Sequence, residues 1–322
     1  MTKTKRFERF LILDDFVSRQ LSAVSRQPPD SNTVPISSLP TWLVIGYLVV
    51  HSLYILTARY RPAHAWRILA VNLLLLVLFL AQLSALASEA PSRQTWFRIT
   101  VLWSPIVFFW WAYLWAGVTL HAYYPESVSF DASLISLEAR LFGQPSLWLA
   151  RGQPPWLTDL SHFLYDTYFA YTPILALYLH IEGRLQEFQS MSFAVILGYA
   201  LCYSLFPHLP AWGPRWGLVV AGLLEESERR LSGGWMTRMT NSLMYEGLAH
   251  KGCAMPSAHS STGVVFLVWS WRIWGPSGGL PAAVIVAGMA FAAVYGRYHY
   301  LVDVIAGAAL GVFCLLVADW LF

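Results

Sequence analysis

Eight apolar stretches divide this chain and constrain its fold more than any other feature. They cover residues 41–58, 66–88, 100–123, 157–181, 190–207, 258–274, 279–297 and 300–321. Each is near the roughly 20 residues that an α-helix needs to cross the hydrocarbon core of a bilayer. Of the 322 residues, 57% are hydrophobic and 12% are charged, whereas soluble domains carry about 25% charged residues. The sequence therefore predicts an all-α integral membrane protein, a polytopic helical bundle of about eight spans with interfacial amphipathic helices.

The distribution of basic residues predicts how this bundle is inserted. Six Lys or Arg residues precede residue 40, and none follows Asp303. The positive-inside rule then favours a cytoplasmic N-terminus, and an even number of spans returns the C-terminus to the same side. Arg59 and Arg61 fall on the outer side in this topology, which is one observation against it.

Three polar stretches stand out from the apolar background, at residues 206–215, 252–259 and 295–303. Even numbers of predicted crossings separate them, so all three face the same side of the membrane in either orientation. In the preferred orientation that side is extracytoplasmic. We therefore expect the three stretches to form one site.

The polar stretches hold the residue types that a phosphoryl-transfer site needs: donors for the phosphate oxygens, a nucleophile and an acid. Arg215 offers a planar fork that matches a phosphate bidentately. The backbone amides from Ser257 to His259, where an apolar helix is predicted to begin, form an anion site, and the Ser257 hydroxyl adds a donor.

A second set of residues predicts the nucleophile and its partners. His299 and Asp303 are four residues apart, so on a helix they share a face. The carboxylate can then hold one ring nitrogen while the other attacks. We assign His299 as the nucleophile, Asp303 as its orienting partner and His259 as the acid that protonates the leaving oxygen.

At this point the residues carry a family resemblance. Pro256-Ser257-Ala258-His259 and His299-Tyr300-Leu301-Val302-Asp303 resemble the second and third signature motifs of the type-2 phosphatidic acid phosphatase superfamily, within a resemblance that covers residues 160–321. The resemblance implies a six-helix lipid-phosphatase-like core. It also implies a phosphohistidine on His299, a general acid at His259 assisted by Asp303, and neither a metal nor another cofactor. The implied partner is a phosphorylated lipid within the bilayer rather than a nucleic acid.

The sequence departs from the family pattern in two motifs. The first motif usually has a Lys where this chain has His208, with six residues between it and Arg215, and a Pro where this chain has Trp216. The third motif usually has Ser-Arg where this chain has Ala292 and Ala293.

A neighbouring arginine offers a replacement for the missing one. Arg297 lies four residues beyond Ala293, on roughly the same helix face, so its guanidinium could reach the same phosphate. We assign Arg297 to phosphate binding together with Arg215, Ser257 and His208. A hydrogen bond within the loop is an equal alternative for His208.

With these departures, the sequence resembles the branch of the superfamily that includes inositol phosphorylceramide synthases. The aromatic fourth span and the Tyr-Gly-Arg-Tyr-His-Tyr string of residues 295–300 are also similar to that branch. Those enzymes transfer a phospho-head group to the hydroxyl of another lipid. The resemblance therefore implies a phosphoenzyme resolved either by water or by an alcohol or lipid acceptor. The rival hypothesis is a non-catalytic transporter or lipid-binding protein that retains the fold.

The segments between spans predict a division of the chain into four parts. These are an amphipathic N-terminal segment and linker (1–40), accessory transmembrane helices (41–123), an interfacial helical loop (124–156) and a catalytic transmembrane domain (157–322). A disordered tail is the alternative for the N-terminal segment.

Two surface elements are predicted between the spans. Asp131 and Gly143 have the types of an N-cap and a C′ residue around an amphipathic helix, although a simple interfacial connector is an alternative for this stretch. Residues 223–250 mix acidic, basic and apolar side chains and predict an excursion over the membrane surface that could gate a lipid.

His162 and Asp166, four residues apart in the fourth predicted span, form a candidate substrate-side pair. Ionisable residues in spans are functional candidates, with helix–helix contact as the equal alternative. Gly307 and Gly311 predict close packing of the last span against another helix.

Four histidines and the three cysteines carry no predicted chemistry. The histidines, to which we assign structural roles, are His51, His64, His121 and His180. Cys202, Cys253 and Cys314 show no paired spacing, so neither a disulfide framework nor a zinc site is expected.

Overall fold

The structure is a computed structural model that describes residues 36–88, 95–243 and 250–322. Nearly all of the predicted N-terminal segment and linker lies outside the described residues. The described ranges are helical and contain no β-strand, which confirms the predicted all-α membrane fold. In chain order the helices are α1 (Leu39–Thr57), α2 (Ala65–Ala87), α3 (Thr95–Thr119), α4 (Asp131–Phe142), α5 (Pro145–Trp148), α6 (Pro155–Asp166), α7 (Tyr168–Ile181), α8 (Leu185–Leu205), α9 (Pro214–Val220), α10 (Trp235–Ser242), α11 (Ala258–Trp274), α12 (Pro276–Tyr295) and α13 (Leu301–Leu321).

Six of these helices, α1, α2, α3, α8, α12 and α13, are long and apolar enough to cross a bilayer. The sixth predicted span is α11, which has the predicted bounds but only 17 residues. The fourth predicted span is not one helix, because α6 ends and α7 begins around Thr167. The Thr167 hydroxyl donates to the carbonyl of Leu164 at 2.5 Å, a back-bond that bends helices. Pro173 then removes a further helical hydrogen bond.

Helix α8 lies at the centre of the bundle. It packs against α1, α3, α7, α11 and α13, and most of its side chains are buried. Large buried side chains from several of these helices form the main core, including Phe109, Leu175, Met191 and Ile196. Cys202 and Cys314 lie in this core as free thiols.

The last span packs closely against α11, as its glycines predict. A Cβ at Gly307 would overlap the backbone carbonyl of Ser257, and one at Gly311 would overlap that of Ser261. The N-terminal halves of α11 and α13 are therefore held in backbone contact, and this contact brings the residues that precede each helix together.

The surface elements pack over the same end of the bundle. Helix α4 packs against α9 and α13 and ends at Gly143, which has the left-handed φ of 69° expected after a helix. Asp131 is the first helical residue rather than the N-cap, and its carboxylate bonds to other segments. Helix α10 packs on α6, where Asp159 accepts hydrogen bonds from Gly234 and Thr237.

Candidate functional site

A cavity of about 340 Å³ opens where the three polar stretches meet. Arg215 at the start of α9, His259 at the start of α11 and His299 just before α13 all line it. The structure therefore brings together one residue from each of the three stretches that the sequence predicts to form a site.

The two histidines of the cavity face each other. Nε2 of His299 lies 3.4 Å from Nδ1 of His259, and the two rings meet at 63° with their centroids 5.4 Å apart. Tyr165 and Tyr168 flank the His259 ring at centroid distances of 4.7 and 4.1 Å. The aromatic rings fix the imidazole plane of His259 from both α6 and α7.

A backbone carbonyl orients His299. Its Nδ1 lies 2.8 Å from the carbonyl oxygen of Ala254, which can only accept a hydrogen bond. Nδ1 therefore carries the proton, and Nε2 presents its lone pair to the cavity. The predicted shared helix face with Asp303 is wrong, because His299 precedes α13 rather than lying in it.

Asp303 nevertheless lies beside the imidazole. Its Oδ2 is 3.7 Å from Nδ1 of His299 and accepts a hydrogen bond from the amide of Tyr300 at 2.9 Å. The residue is fully buried, and its backbone carbonyl accepts from the amide of Ser257 at 3.1 Å. At this separation the carboxylate acts on His299 through its charge more than through a direct hydrogen bond.

The two arginines have different positions. The guanidinium of Arg215 lies over the ring of Tyr298, 5.1 Å from its centroid, at the cavity wall. Arg297 donates from Nε to the carbonyl of Ser146 at 3.1 Å and from Nη1 to the carbonyl of Glu228. The cavity wall formed by the described residues includes Arg215 and excludes Arg297.

Arg297 instead joins several loops. Its φ of 60° is in the left-handed region, which is uncommon for a side chain of this size. Its carbonyl accepts from the amide of Arg215 at 3.0 Å, so the loop before α9 and the loop before α13 are bonded directly. Gly213 permits this approach, because a Cβ there would lie 2.7 Å from the carbonyl of Tyr298.

Two other predicted phosphate ligands, His208 and Ser257, are not part of the described cavity wall. The exposed ring of His208 stacks on Tyr123, with centroids 5.0 Å apart, and meets the edge of Tyr54. Ser257 is fully buried, and its hydroxyl oxygen accepts from the amide of Ser260 at 3.3 Å as the N-cap of α11.

His162 and Asp166 share α6, but each bonds elsewhere. Nδ1 of His162 lies 2.7 Å from the carbonyl of Thr158, and Oδ2 of Asp166 accepts from the hydroxyl of Thr240 at 2.7 Å. The ring of His162 meets the edge of Tyr298, a residue of the cavity wall, whereas Asp166 links α6 to α10.

The cavity also contains residues that the sequence did not single out. Tyrosines form much of its wall, and Trp110, Tyr113 and Leu114 of α3 and His250 of the loop before α11 complete it. Burial lowers the pKa of His250 below its ordinary value. The one available signal was the aromatic density of the third and fourth predicted spans. Among the described residues, no group of three or more His, Cys, Asp or Glu side chains is arranged to hold a metal ion.

Comparison with known protein families shows to which superfamily the chain belongs. The sequence profile of the PAP2 superfamily matches residues 132–317, more than half of the chain. This chain belongs to the PAP2 superfamily. The matched range contains Arg215, His259, His299 and Asp303, whereas the α3 wall of the cavity precedes it. Membership in the PAP2 superfamily points to phosphatase-type activity of an integral membrane protein. No curated protein and no solved structure matches the chain.

Proposed function

We propose that this PAP2 protein cleaves the phosphate ester of a membrane lipid through a phosphohistidine on His299. The observation that carries the proposal is the meeting of His299 Nε2, His259 and Arg215 in one cavity. Nε2 has its lone pair available because Nδ1 donates to Ala254. The three side chains therefore lie where their roles need them, and His299 has the tautomer that attack at phosphorus requires.

The reaction has two displacements at phosphorus. In the first, Nε2 attacks, the bond from phosphorus to the lipid oxygen breaks, and His259 gives its proton to that oxygen. In the second, a water oxygen attacks, the N–P bond breaks, and His259 takes the proton from the water. Arg215 holds the phosphate oxygens in both steps. The phosphate binds between the two imidazoles, which separate from their 3.4 Å contact to admit it.

The shape of the cavity supports a lipid substrate. Trp110 and Leu114 of α3 and Phe169 of α7 line it, and each leaves a large part of its side chain exposed. The cavity therefore opens sideways between α3 and α7. An acyl or prenyl chain can lie through this opening while the phosphate reaches His299.

The resemblance to inositol phosphorylceramide synthases supports a second outcome of the same intermediate. A hydroxyl of an alcohol or a second lipid can replace water in the second step, because both displace the same N–P bond. Product analysis with and without an alcohol acceptor distinguishes transferase from phosphatase. We further propose that this site faces the extracytoplasmic side and that both termini are cytoplasmic, as the basic residues near the N-terminus indicate.

The test replaces His299 by Gln and follows phosphate release from a panel of lipid phosphates in detergent micelles. We expect His299→Gln to lose nearly all activity and to form no acid-labile, base-stable phosphoenzyme, which the wild type forms with labelled substrate. The matched control is His64→Gln, a change at an exposed histidine between α1 and α2, which should retain activity. Full activity in a folded His299→Gln variant would sink the proposal and favour a non-catalytic lipid-binding protein.

A further inference from the structure

Helix α4 buries two carboxylates beside the site. Asp131 and Glu138 are 3% and 0% exposed. They are seven residues apart and so lie two turns apart on the same face of α4. Burying a carboxylate is costly, and apolar side chains could dock a helix at lower cost. Two buried carboxylates on one face therefore point to a role beyond packing.

Asp131 connects two loops of the site. Its Oδ2 accepts from the amide of Trp212, and its Oδ1 accepts from the hydroxyl of Tyr300, each at 2.7 Å. Trp212 precedes Arg215 by three residues, and Tyr300 follows His299 directly. Gly217 of α9 leaves the room for this bridge, because a Cβ there would overlap both the carboxylate and the Tyr300 hydroxyl.

Glu138 holds the start of α13. Its Oε2 accepts from the amide of Leu301 at 2.9 Å, and its Oε1 accepts from the hydroxyl of Ser146 at 3.3 Å. Both oxygens act as acceptors, as an ionised carboxylate requires. Leu301 is the first residue of α13, where unpaired amides and the helix dipole favour a negative charge.

The surroundings of Glu138 couple its charge to the nucleophile. Burial raises the pKa of the Glu138 carboxyl to about 7; the Leu301 amide opposes this shift, and the charge of Asp303 adds to it. Tyr300 is the other titratable group that faces Glu138 from the start of α13, and Arg297 bonds to Ser146 on the far side. The carboxylate of Asp303 lies between Glu138 and His299 in this sequence of contacts.

We propose that α4 holds the loop before Arg215 and the loop that contains His299 in fixed positions relative to each other. Within this arrangement, Glu138 is a positioning residue that acts on His299 through Asp303 and the start of α13. Glu138 lies outside the cavity wall formed by the described residues, so it acts through other residues and does not touch substrate. This inference rests on the proposed function, since it assigns the loops their catalytic parts.

The decisive variant is Glu138→Gln, which keeps the shape and removes the charge. The wild type should show a rise of kcat/KM with pH around 7, and Glu138→Gln should lack this rise. At pH 8 its kcat should be roughly 10- to 100-fold lower, the scale of a small misplacement of reacting groups. The matched control is Glu126→Gln, at an exposed residue that precedes α4, which should keep the wild-type profile.

Stability distinguishes positioning from simple structural support. Because folding raises the pKa of Glu138, this residue stabilises the folded state fully when the pH is below its ordinary pKa of 4.5. That contribution to stability is lost as the pH rises through about 7. Removing the charge should therefore leave the melting temperature at pH 8 unchanged or higher. A parallel fall of melting temperature and kcat, with the shape of the pH profile unchanged, would overturn the proposal.

A second variant covers the case in which Glu138→Gln fails to fold. Ser146→Ala removes one hydrogen bond that lowers the pKa of Glu138 and keeps the charge. It should move the inflection in kcat/KM to higher pH, and an unmoved inflection counts against Glu138 as its source.

Hydrogen–deuterium exchange over residues 297–304 separates this inference from the proposed function. In Glu138→Gln the amide hydrogen of Leu301 should exchange faster than in the wild type, whether or not the protein hydrolyses a lipid phosphate. Faster exchange in a protein that hydrolyses no lipid phosphate would reject the proposed function and keep the role of α4. Equal activity and equal exchange in wild type and variant would reject the inference and leave the function standing.

Discussion

A single carbonyl determines what His299 can do. Because the oxygen of Ala254 accepts the Nδ1 proton, the loop before α11 sets the tautomer of the histidine before α13. Asp303 lies 3.7 Å away and contributes charge. The proposed nucleophile is therefore oriented by a backbone group from another part of the chain, whereas sequence spacing alone suggested a carboxylate in that place.

At Arg215, we expect a positive charge alone to be insufficient for binding the phosphate. Arg215→Lys keeps the positive charge but loses the planar fork that binds two phosphate oxygens. We expect kcat/KM for a lipid phosphate to fall by about 100-fold, the scale of losing one preorganised donor to the transition state. Steady-state kinetics on the purified variant check this, and a fall of less than threefold would show that Arg215 does not bind the reacting phosphate.

The comparison for Arg215 is His208→Gln. His208 takes the place of the family's first-motif lysine, but its ring stacks on Tyr123 at the exposed surface. This variant should keep nearly the wild-type kcat/KM in the same assay. A loss comparable to that of Arg215→Lys would mean that the loop moves His208 onto the phosphate during the reaction.

The two arginines, Arg215 and Arg297, illustrate what the sequence could and could not predict about the site. The meeting of Arg215, His259 and His299 followed from motif spacing and from even numbers of crossings between them. The assignment of Arg297 assumed that the helix continues to that residue, whereas α12 ends at Tyr295 and Arg297 has a left-handed backbone. The direction of its side chain depends on the carbonyls of two distant segments, which no local pattern contains.

At the scale of elements, the apolar stretches predicted helix positions closely but not their continuity. The bounds of α11 are those predicted, and most other spans differ by a few residues. The fourth span is broken at Thr167 by a hydroxyl back-bond, which leaves hydropathy unchanged. Asp131 likewise has the residue type of an N-cap, but its partners Trp212 and Tyr300 are far along the chain.

The contact between α11 and α13 is the element-level feature on which the site depends most. Gly307→Ala would place a methyl group against the carbonyl of Ser257, two residues before His259. We expect the variant to lose about 1–3 kcal/mol of stability, as overpacked interiors do, and to lose activity as the two loops separate. Thermal unfolding in detergent, followed by tryptophan fluorescence, measures the first effect.

Gly46→Ala on α1 is the matched control, because nothing lies within 4 Å of a Cβ at that position. Alanine favours helix by up to about 1 kcal/mol over glycine, so this variant should be as stable as the wild type or more stable. Equal melting temperatures for the Gly307 and Gly46 variants would show that the α11–α13 contact can relax without cost.

At the scale of the whole molecule, the site is completed by a helix from outside the family match. Helix α3 lies before residue 132, where the PAP2 match begins, yet Trp110, Tyr113 and Leu114 line the cavity. Nearer the N-terminus of α3, the indole nitrogen of Trp103 lies 3.4 Å from Nδ1 of His180 on α7. The two helices therefore touch at Trp103 and His180, and side chains farther along both helices line the cavity.

This arrangement predicts that α3 selects the lipid chain. Leu114 lines the cavity and is 37% exposed, so the larger side chain of Leu114→Trp should narrow the cavity. We expect kcat/KM for a lipid phosphate with long chains to fall at least tenfold more than kcat/KM for a short-chain analogue, because a missing apolar fit is worth about 1–3 kcal/mol. Val107→Trp adds the same bulk to the same helix at a residue 62% exposed and outside the described cavity wall, and it should leave the ratio of the two substrates unchanged. An equal fall for both chain lengths in Leu114→Trp would mean that the chain leaves the cavity by another route and that α3 only closes the bundle.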